Sequence, residues 1–413
     1  MSVETSPVQR CPVSADYNPF ELSAEVDPYP WLRRQREQEP VFFSPQVGMW
    51  VVTRYADAEL VLRQPEIFAS EGALVGRYHP EIVARFEGKV PLTATLIGMD
   101  RPDHTRLRRI VNAAFTPRVV AGMEDAVRAT VVELIESLPT DEPFDLLKDF
   151  SYPLALTVIS RVVGIPKADI QSCHDLSKRW NDLMGAEQRG MPLEEQHACA
   201  DDTLAYHEYI SDLIAKREHE PADDLITAVW EVRRQGDVEL SDVEMLSLFP
   251  GLISAGHETT ANLIANGVWH LLDERDRWER LVRGGYDIPL LVEEMLRYDT
   301  SIFGLPRRVV EDTKIGDVAI PAGDLVFVHF AAAGHDPEQY ADPDEFQPAR
   351  VGNQHLSFGR GAHFCPGAPL ARLESRLALE ELSTRRPDLH LVSEPGHASD
   401  FVFRGLTELS VAG

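Results

Sequence analysis

Apolar positions recur at intervals of three and four from about residue 103 to 300, as in Val119–Leu138, Tyr152–Val163 and Leu246–Leu272. That period places them on one face of an α-helix, so the middle of the chain is predicted to be mostly helical. An earlier helix is predicted to open at Asp27-Pro28, an N-cap acid followed by a proline suited to the first turn. Short β-branched and aromatic runs at Val41–Phe43 and Met49–Thr53 predict strands. The stretch from Gly304 to Val328 is rich in Val and Ile and punctuated by Gly316, Pro321 and Gly323, which predicts short strands and turns. From Asp336 to Gly367 periodicity fails and proline and glycine interrupt repeatedly, so this long segment is read as a functional loop. A last helix is predicted over Ala368–Arg385, then two strands near Leu389–Val392 and Leu406–Val411. Residues 1–18 are polar and carry Pro12, and they read as a flexible arm. No linker divides the rest of the chain, so residues 19–413 are expected to form a single domain. The fold class is mainly α with a small β region.

Bulk properties narrow the function. A chain of 413 residues, 44% hydrophobic, can bury a large core without disulfides or metal staples. The net charge of −27 repels nucleic acid and anionic membrane surfaces. The four cysteines, Cys11, Cys173, Cys199 and Cys365, include no C-x-x-C pair, which argues against a disulfide scaffold or zinc ribbon and fits a reducing cytoplasm. Met1–Arg10 does not read as a signal peptide, and no uncharged apolar run of 18 residues predicts a membrane span. There is no P-loop or dinucleotide glycine fingerprint. His257-Glu258 begins like the zinc-protease signature H-E-x-x-H, but Ala261 stands where the second histidine is needed.

The densest chemistry lies in Phe358-Gly359-Arg360-Gly361-Ala362-His363-Phe364-Cys365-Pro366-Gly367. A thiolate that ligates haem iron needs a loop able to approach a flat macrocycle, an apolar shield and a positive field. Gly359 and Gly361 permit the approach, Phe358 and Phe364 can shield, and the following helix directs its N-terminal dipole at the sulfur. A lone cysteine among apolar residues is ordinarily a small buried hydrophobe, and spacing alone leaves both readings open.

The string resembles F-G-x-G-x-H-x-C-x-G of the cytochrome P-450 superfamily, and the likeness runs from about residue 18 to the C-terminus in the style of the soluble bacterial members. The resemblance implies a triangular helical prism around haem b (iron protoporphyrin IX), with Cys365 as the axial iron ligand. It makes Glu294-Met295-Leu296-Arg297 the family's E-x-x-R, an acid and base on one helical face, locked with Arg350 to brace the cysteine loop. It assigns the haem propionates to His104 and Arg108, one helical turn apart, to His363, and to Arg307, although Arg308 is adjacent. Ala255-Gly256-His257-Glu258-Thr259-Thr260 resembles the oxygen-activation segment. There Ala255 and Gly256 would border the haem, Gly256 would leave room for a diatomic ligand, and Glu258 and Thr259 would deliver protons. Substrate-pocket candidates carried over by region are Leu92, Ile97, Trp180, Met184, Ile253, Ile302, Phe303 and Phe401.

The implied activity is insertion of one oxygen atom from O2 into a small organic substrate, by hydroxylation or epoxidation, in secondary-metabolite tailoring. The alternatives are peroxide-dependent oxidation or oxidative coupling without oxygen insertion, and a non-catalytic haem sensor or carrier. Electrons are expected from an external ferredoxin and its reductase, since neither a flavin domain nor an iron–sulfur cysteine set is visible. Arg106, Arg109, Arg360 and Arg372 are expected to form the basic patch that receives it, on a monomer. Two departures from the common family pattern stand out. Pro366 follows the cysteine without an N–H to donate, and Pro250-Gly251 interrupts the central helix, where proline should produce a kink.

Overall fold

Capping chemistry sets where the long helices begin. Ser241 and Glu244 form a reciprocal capping box, the Ser241 Oγ accepting from Glu244 N at 3.2 Å and Glu244 Oε2 accepting from Ser241 N at 2.8 Å. From there a single helix runs from Asp242 to Asp273. The helix continues through Pro250, where the proline leaves one N–H rung missing. Asp224 and Asp287 cap two neighbouring helices through their side chains.

The structure is a computed structural model describing residues 12–74, 78–89, 96–184, 186, 190–236, 239–400 and 402–413. Its helices are α1 (Pro19–Ala24), α2 (Tyr29–Gln38), α3 (Tyr55–Arg63), α4 (Pro80–Phe86), α5 (Asp103–Ala114), α6 (Pro117–Ala121), α7 (Glu124–Ser137) and α8 (Tyr152–Val163). They continue as α9 (Ile170–Met184), α10 (Leu193–His219), α11 (Leu225–Gln235), α12 (Asp242–Asp273), α13 (Arg275–Val282), α14 (Ile288–Tyr298), α15 (Phe330–Gly334) and α16 (Ala368–Arg385). The strands are β1 (Val41–Ser44), β2 (Met49–Val52), β3 (Phe68–Ala69), β4 (Phe144–Asp145), β5 (Leu305–Val309), β6 (Thr313–Ile315), β7 (Val318–Ile320), β8 (Leu325–Val328), β9 (His390–Leu391) and β10 (Ser410–Ala412). The predicted segments at Tyr152–Val163 and Ala368–Arg385 are helices with those bounds. The predicted Val119–Leu138 segment is divided at Gly122 into α6 and α7. The last predicted strand pairs only at Ser410–Ala412, and Leu406 makes a single bridge to His397.

The main sheet has the order β1-β2-β8-β5-β3, with β2 and β8 parallel and the other pairs antiparallel. β4, β10 and β9 form a second sheet, and β6 with β7 a hairpin. The helical core joins α5–α11, α13, α14 and α16 around α12, which is buried along most of its length.

One correction concerns the N-terminal arm. Residues 1–11 lie outside the described residues, but residues 12–18 are docked rather than loose. Ser14 N donates to Phe43 O at 3.0 Å and Phe43 N to Pro12 O at 2.8 Å. The Tyr17 ring is buried in an apolar cluster with Phe42 and Phe327. Further along, Arg404 is fully buried and donates to Asp299 Oδ1 at 2.6 Å and to the carbonyls of Ser23, Glu25 and Val26. Ser23 Oγ also donates to Asp400 O at 2.8 Å, and Ser399 Oγ to Phe20 O at 2.8 Å. The two ends of the chain are thereby stitched together.

Candidate active site

The Cys365 loop is built by backbone geometry. Cys365 N donates to Phe358 O at 2.8 Å, and Gly359 N to Leu356 O at 2.7 Å. Gly359 and Gly361 have φ of 69° and 68°, the left-handed region that favours glycine. A Cβ at Gly361 would stand 2.7 Å from Leu62 O, so this glycine also lets the loop lie against α3. Burial pushes the Cys365 thiol up, while N–H groups of Gly367 and Ala368 and the Arg108 guanidinium pull it down. Pro366 stands before the first helical residue, Ala368, and the helical proline is Pro369.

A rigid brace sits behind the loop. Glu294 and Arg297 are both fully buried on α14. Arg297 Nε donates to Glu294 Oε2 at 2.8 Å and Nη2 to Oε1 at 2.7 Å. Its other N–H groups reach the carbonyls of Gly334, Pro343 and Glu345 at 2.7, 2.7 and 3.0 Å. Arg350 Nε donates to Glu294 Oε2 at 3.1 Å, and Gln347 N and Asn353 Nδ2 add bonds to the same carboxylate. The predicted triad is assembled, with two loop partners that the motif does not contain.

A cavity of about 1420 Å³ opens between the Cys365 loop and α12. Cys365, Phe358, Gly359 and His363 border it on one side, and Ala255, Gly256, Glu258 and Thr259 on the other. Thr259 Oγ1 donates to Ala255 O at 2.8 Å. A Cβ on Gly256 would meet Ile159 Cγ1 at 2.5 Å, so the missing side chain makes room for α8 rather than for a small ligand, which corrects the expectation for this residue.

One flank of the cavity gathers buried bases. Arg307 is buried and lines the cavity, donating to the carbonyl of its own neighbour Pro306 at 2.8 Å. Arg308 turns away and donates to Glu71 O at 2.9 Å, which settles which arginine faces inward. His363 lines the cavity, with Nε2 3.1 Å from Ser70 Oγ. His104 stands behind it rather than on the wall, ring on ring at a centroid distance of 4.0 Å, and its buried Nε2 has no partner. Arg108 reaches the loop itself, donating to Phe364 O and to Asn112 Oδ1. Burial and these neighbouring bases push His363 down to about 3, and burial pushes Arg307 down to about 10. Asp100 is the facing acid, 3.9 Å from His363 Nε2, and it is already held by Ser70 N and Glu71 N. Buried cations and an orphaned imidazole nitrogen call for an anionic partner. The donor set fits the two carboxylates of haem, with the Cys365 sulfur on the same cavity wall.

Ile97, Trp180, Met184 and Ile302 line the cavity as expected. Ile253 and Phe303 do not. Ile253 is fully buried in the helical core, and Phe303 packs on His329 in the sheet-side cluster. Leu92 and Phe401 lie outside the described residues. The expected basic patch is also reduced. Arg106 is paired with Asp103 and Glu244, and Arg372 with Glu293 at 2.5 Å. Arg109 stays exposed, and Arg360 lies 3.6 Å from Glu59. Ser70, Asp100 and Asn181 enter the site without any sequence signal, because their partners are far away along the chain.

The chain is similar to known proteins over most of its length. The family model described as cytochrome P450 matches residues 288–383, which span α14 and the Cys365 loop. Cytochrome P450 107B1 of Saccharopolyspora erythraea is 36% identical over 88% of this chain and 88% of its own length. The mycinamicin IV hydroxylase/epoxidase of Micromonospora griseorubida is 37% identical over 86% of this chain and 87% of its own. The solved structure of cytochrome P450 CREJ in complex with (4-ethylphenyl) dihydrogen phosphate superposes with a TM-score of 0.88 at 32% identity, covering 96% of this chain and 99% of that one.

Proposed function

The chain belongs to the cytochrome P450 family of haem b monooxygenases, and on that premise we propose that it hydroxylates or epoxidises a bulky, mainly apolar small molecule with O2. The overall change is RH + O2 + 2e⁻ + 2H⁺ → ROH + H2O, or the corresponding epoxidation of an alkene. The observation that carries this reading is the cavity that sets Glu258 and Thr259 opposite Cys365, with buried bases on one flank.

Haem, when bound, supplies the reductive splitting of O2 and the transfer of one oxygen atom. Cys365 would hold the iron, its sulfur charge steadied by the Gly367 and Ala368 N–H groups. Arg307 and His363 would hold the propionates, with His104 offering its unpartnered Nε2 behind them. Thr259 Oγ1 has committed its hydrogen to Ala255 O, so its lone pairs are what it presents to the cavity. It therefore accepts a hydrogen bond there, and Glu258 is the group that gains and releases protons. Ile97, Trp180, Met184 and Ile302 exclude water around the substrate.

Residues 19–413 act as one catalytic domain in this reading, as a cytoplasmic monomer supplied with electrons by an external ferredoxin. No helix among the described residues is long and apolar enough to cross a membrane. The relative named for mycinamicin hydroxylation and epoxidation supports a tailoring role on a secondary metabolite. The test is a panel of macrolide and other polyketide substrates, scored by haem spectral shift and then by product mass under ¹⁸O₂. One ¹⁸O atom per product is expected. Turnover to a product that carries no label overturns oxygen insertion in favour of oxidative coupling. Thr259→Ala is expected to consume reductant but release more peroxide and less product, and unchanged coupling removes Thr259 from the mechanism.

A further inference from the structure

We propose that Asn181 of α9 is a positioning residue for Glu258, its amide oriented by Ser254 so that it holds the carboxylate in place. The proposal rests on the proton-transfer role of Glu258 and adds a partner from the adjoining helix α9. Ser254 and Glu258 are four apart on α12 and so share a face. Asn181 spans both. Ser254 Oγ donates to Asn181 Oδ1 at 2.8 Å, and Asn181 Nδ2 donates to Glu258 Oε2 at 3.4 Å.

The direction of this network follows from its chemistry. An ionised carboxylate only accepts, so the amide must turn its nitrogen toward Glu258. That leaves Oδ1 toward Ser254, whose hydroxyl can rotate to donate. The flipped amide would set Oδ1 against a carboxylate oxygen and is repulsive. Ser254, buried and fixed on α12, thereby selects one amide orientation. The 3.4 Å contact is long, as donor–acceptor distances at sites of proton transfer often are before substrate and cofactor close in.

A staple between α9 and α12 would need only the Ser254 bond. The second bond goes to a charged group that borders the cavity, and bonds to charged groups are the stronger kind. Glu258 also faces α8, where burial and its charge push the Tyr152 phenol up. Asn181 lies between Trp180 and Met184, and all three line the cavity. A substrate packed against α9 therefore bears on the same helix that holds the acid.

The experiment uses holoenzyme carrying Asn181→Leu, Ser254→Ala, Glu258→Gln and the Asn181→Leu/Glu258→Gln double change. Three quantities are read: the fraction of reductant recovered as product, the substrate dissociation constant by spectral titration, and the infrared carboxylate band assigned as the one lost in Glu258→Gln. The band is measured on resting protein without turnover. Asn181→Leu is expected to move the band, lower the product fraction several-fold, keep substrate affinity within about twofold, and add nothing in the Glu258→Gln background. Ser254→Ala is expected to move the band the same way by a smaller amount, and it stands in if Asn181→Leu does not fold. A band that does not move, a loss that persists undiminished beside Glu258→Gln, or a change confined to substrate affinity overturns the positioning role. Full coupling in Glu258→Gln overturns the acid itself, whatever Asn181 does.

Discussion

Arg297→Lys tests the brace behind the Cys365 loop more sharply than removal of the charge. A guanidinium has five N–H donors, and in Arg297 all five are used: two on Glu294 and one each on Gly334 O, Pro343 O and Glu345 O. An ammonium keeps the charge but has three donors in a different geometry. At least two of the five bonds are then lost, and a bond to a charged group is worth about 1.5–3 kcal/mol. The expected loss is about 3–6 kcal/mol, a large share of the roughly 5–15 kcal/mol that holds a typical domain. Arg297→Ala also leaves Glu294 short of a partner at a fully buried position, and breaking such a pair costs about 3–5 kcal/mol. Both variants loosen the segment that ends at Cys365, so haem retention should fall together with stability. The assay is urea unfolding of holoprotein beside the rate of haem loss to a scavenger protein. Arg297→Lys matching the unaltered protein in both would refute the donor count, and stability lost without faster haem loss would refute the link to the loop.

The other expectations are simpler to state. Cys365→Ala should abolish the red-shifted Soret band of the reduced carbon monoxide complex while Cys173→Ala and Cys199→Ala keep it, and an unchanged spectrum in Cys365→Ala removes the thiolate assignment. Pro366→Leu should add an N–H near the sulfur and raise the ferric/ferrous potential by about 40 mV, one neutral hydrogen bond expressed for a one-electron couple. A potential that holds or falls excludes the missing donor as its cause. Burial alone would raise the Asp299 carboxyl, but Arg404 and His270 outweigh it and hold it well below the ordinary carboxylate range. Its stabilising contribution is therefore complete above the unfolded value of about 3.9 and is lost as pH falls below it. Asp299→Asn should cost about 3–5 kcal/mol at pH 7, with the gap to the unaltered protein closing on acidification; a gap independent of pH refutes the assignment.

What the sequence made legible was local. Glu294 and Arg297 are three apart on one helix, and the glycines around Cys365 are contiguous, so composition and spacing carry them. The helical period finds an apolar face but does not say what that face meets. Ile253 and Trp180 both satisfy the period, yet Ile253 faces core and Trp180 borders the cavity. Gly256 reads as space for a ligand, and only the crossing of α8 shows that Ile159 takes that space. β3 and β4 are two residues each, too short for alternation to register. Ser70 meets His363 across 293 positions and Asn181 meets Glu258 across 77, distances over which no local pattern operates. Arg106 has Asp103 three residues away on its own helix, but its second acid, Glu244, and the Glu293 that holds Arg372 from 79 positions away come from other elements.

The bonds from Arg404 to Ser23, Glu25 and Val26 join residues about 380 positions apart. A ribosome working at about 5–20 residues per second needs on the order of 20–75 s to bridge that interval. Throughout it, α1 has none of the buried guanidinium bonds that later fix its end, and Phe20, which borders the cavity, lacks the Ser399 hydroxyl on its carbonyl. The contacts between Phe20 and Ser399 and between α1 and Arg404 therefore form only after α12 and the Cys365 loop have been synthesised. A chain truncated before residue 399 would lack both the Ser399 bond to Phe20 and the Arg404 bonds to the end of α1, so this border of the cavity would lose the contacts that fix it.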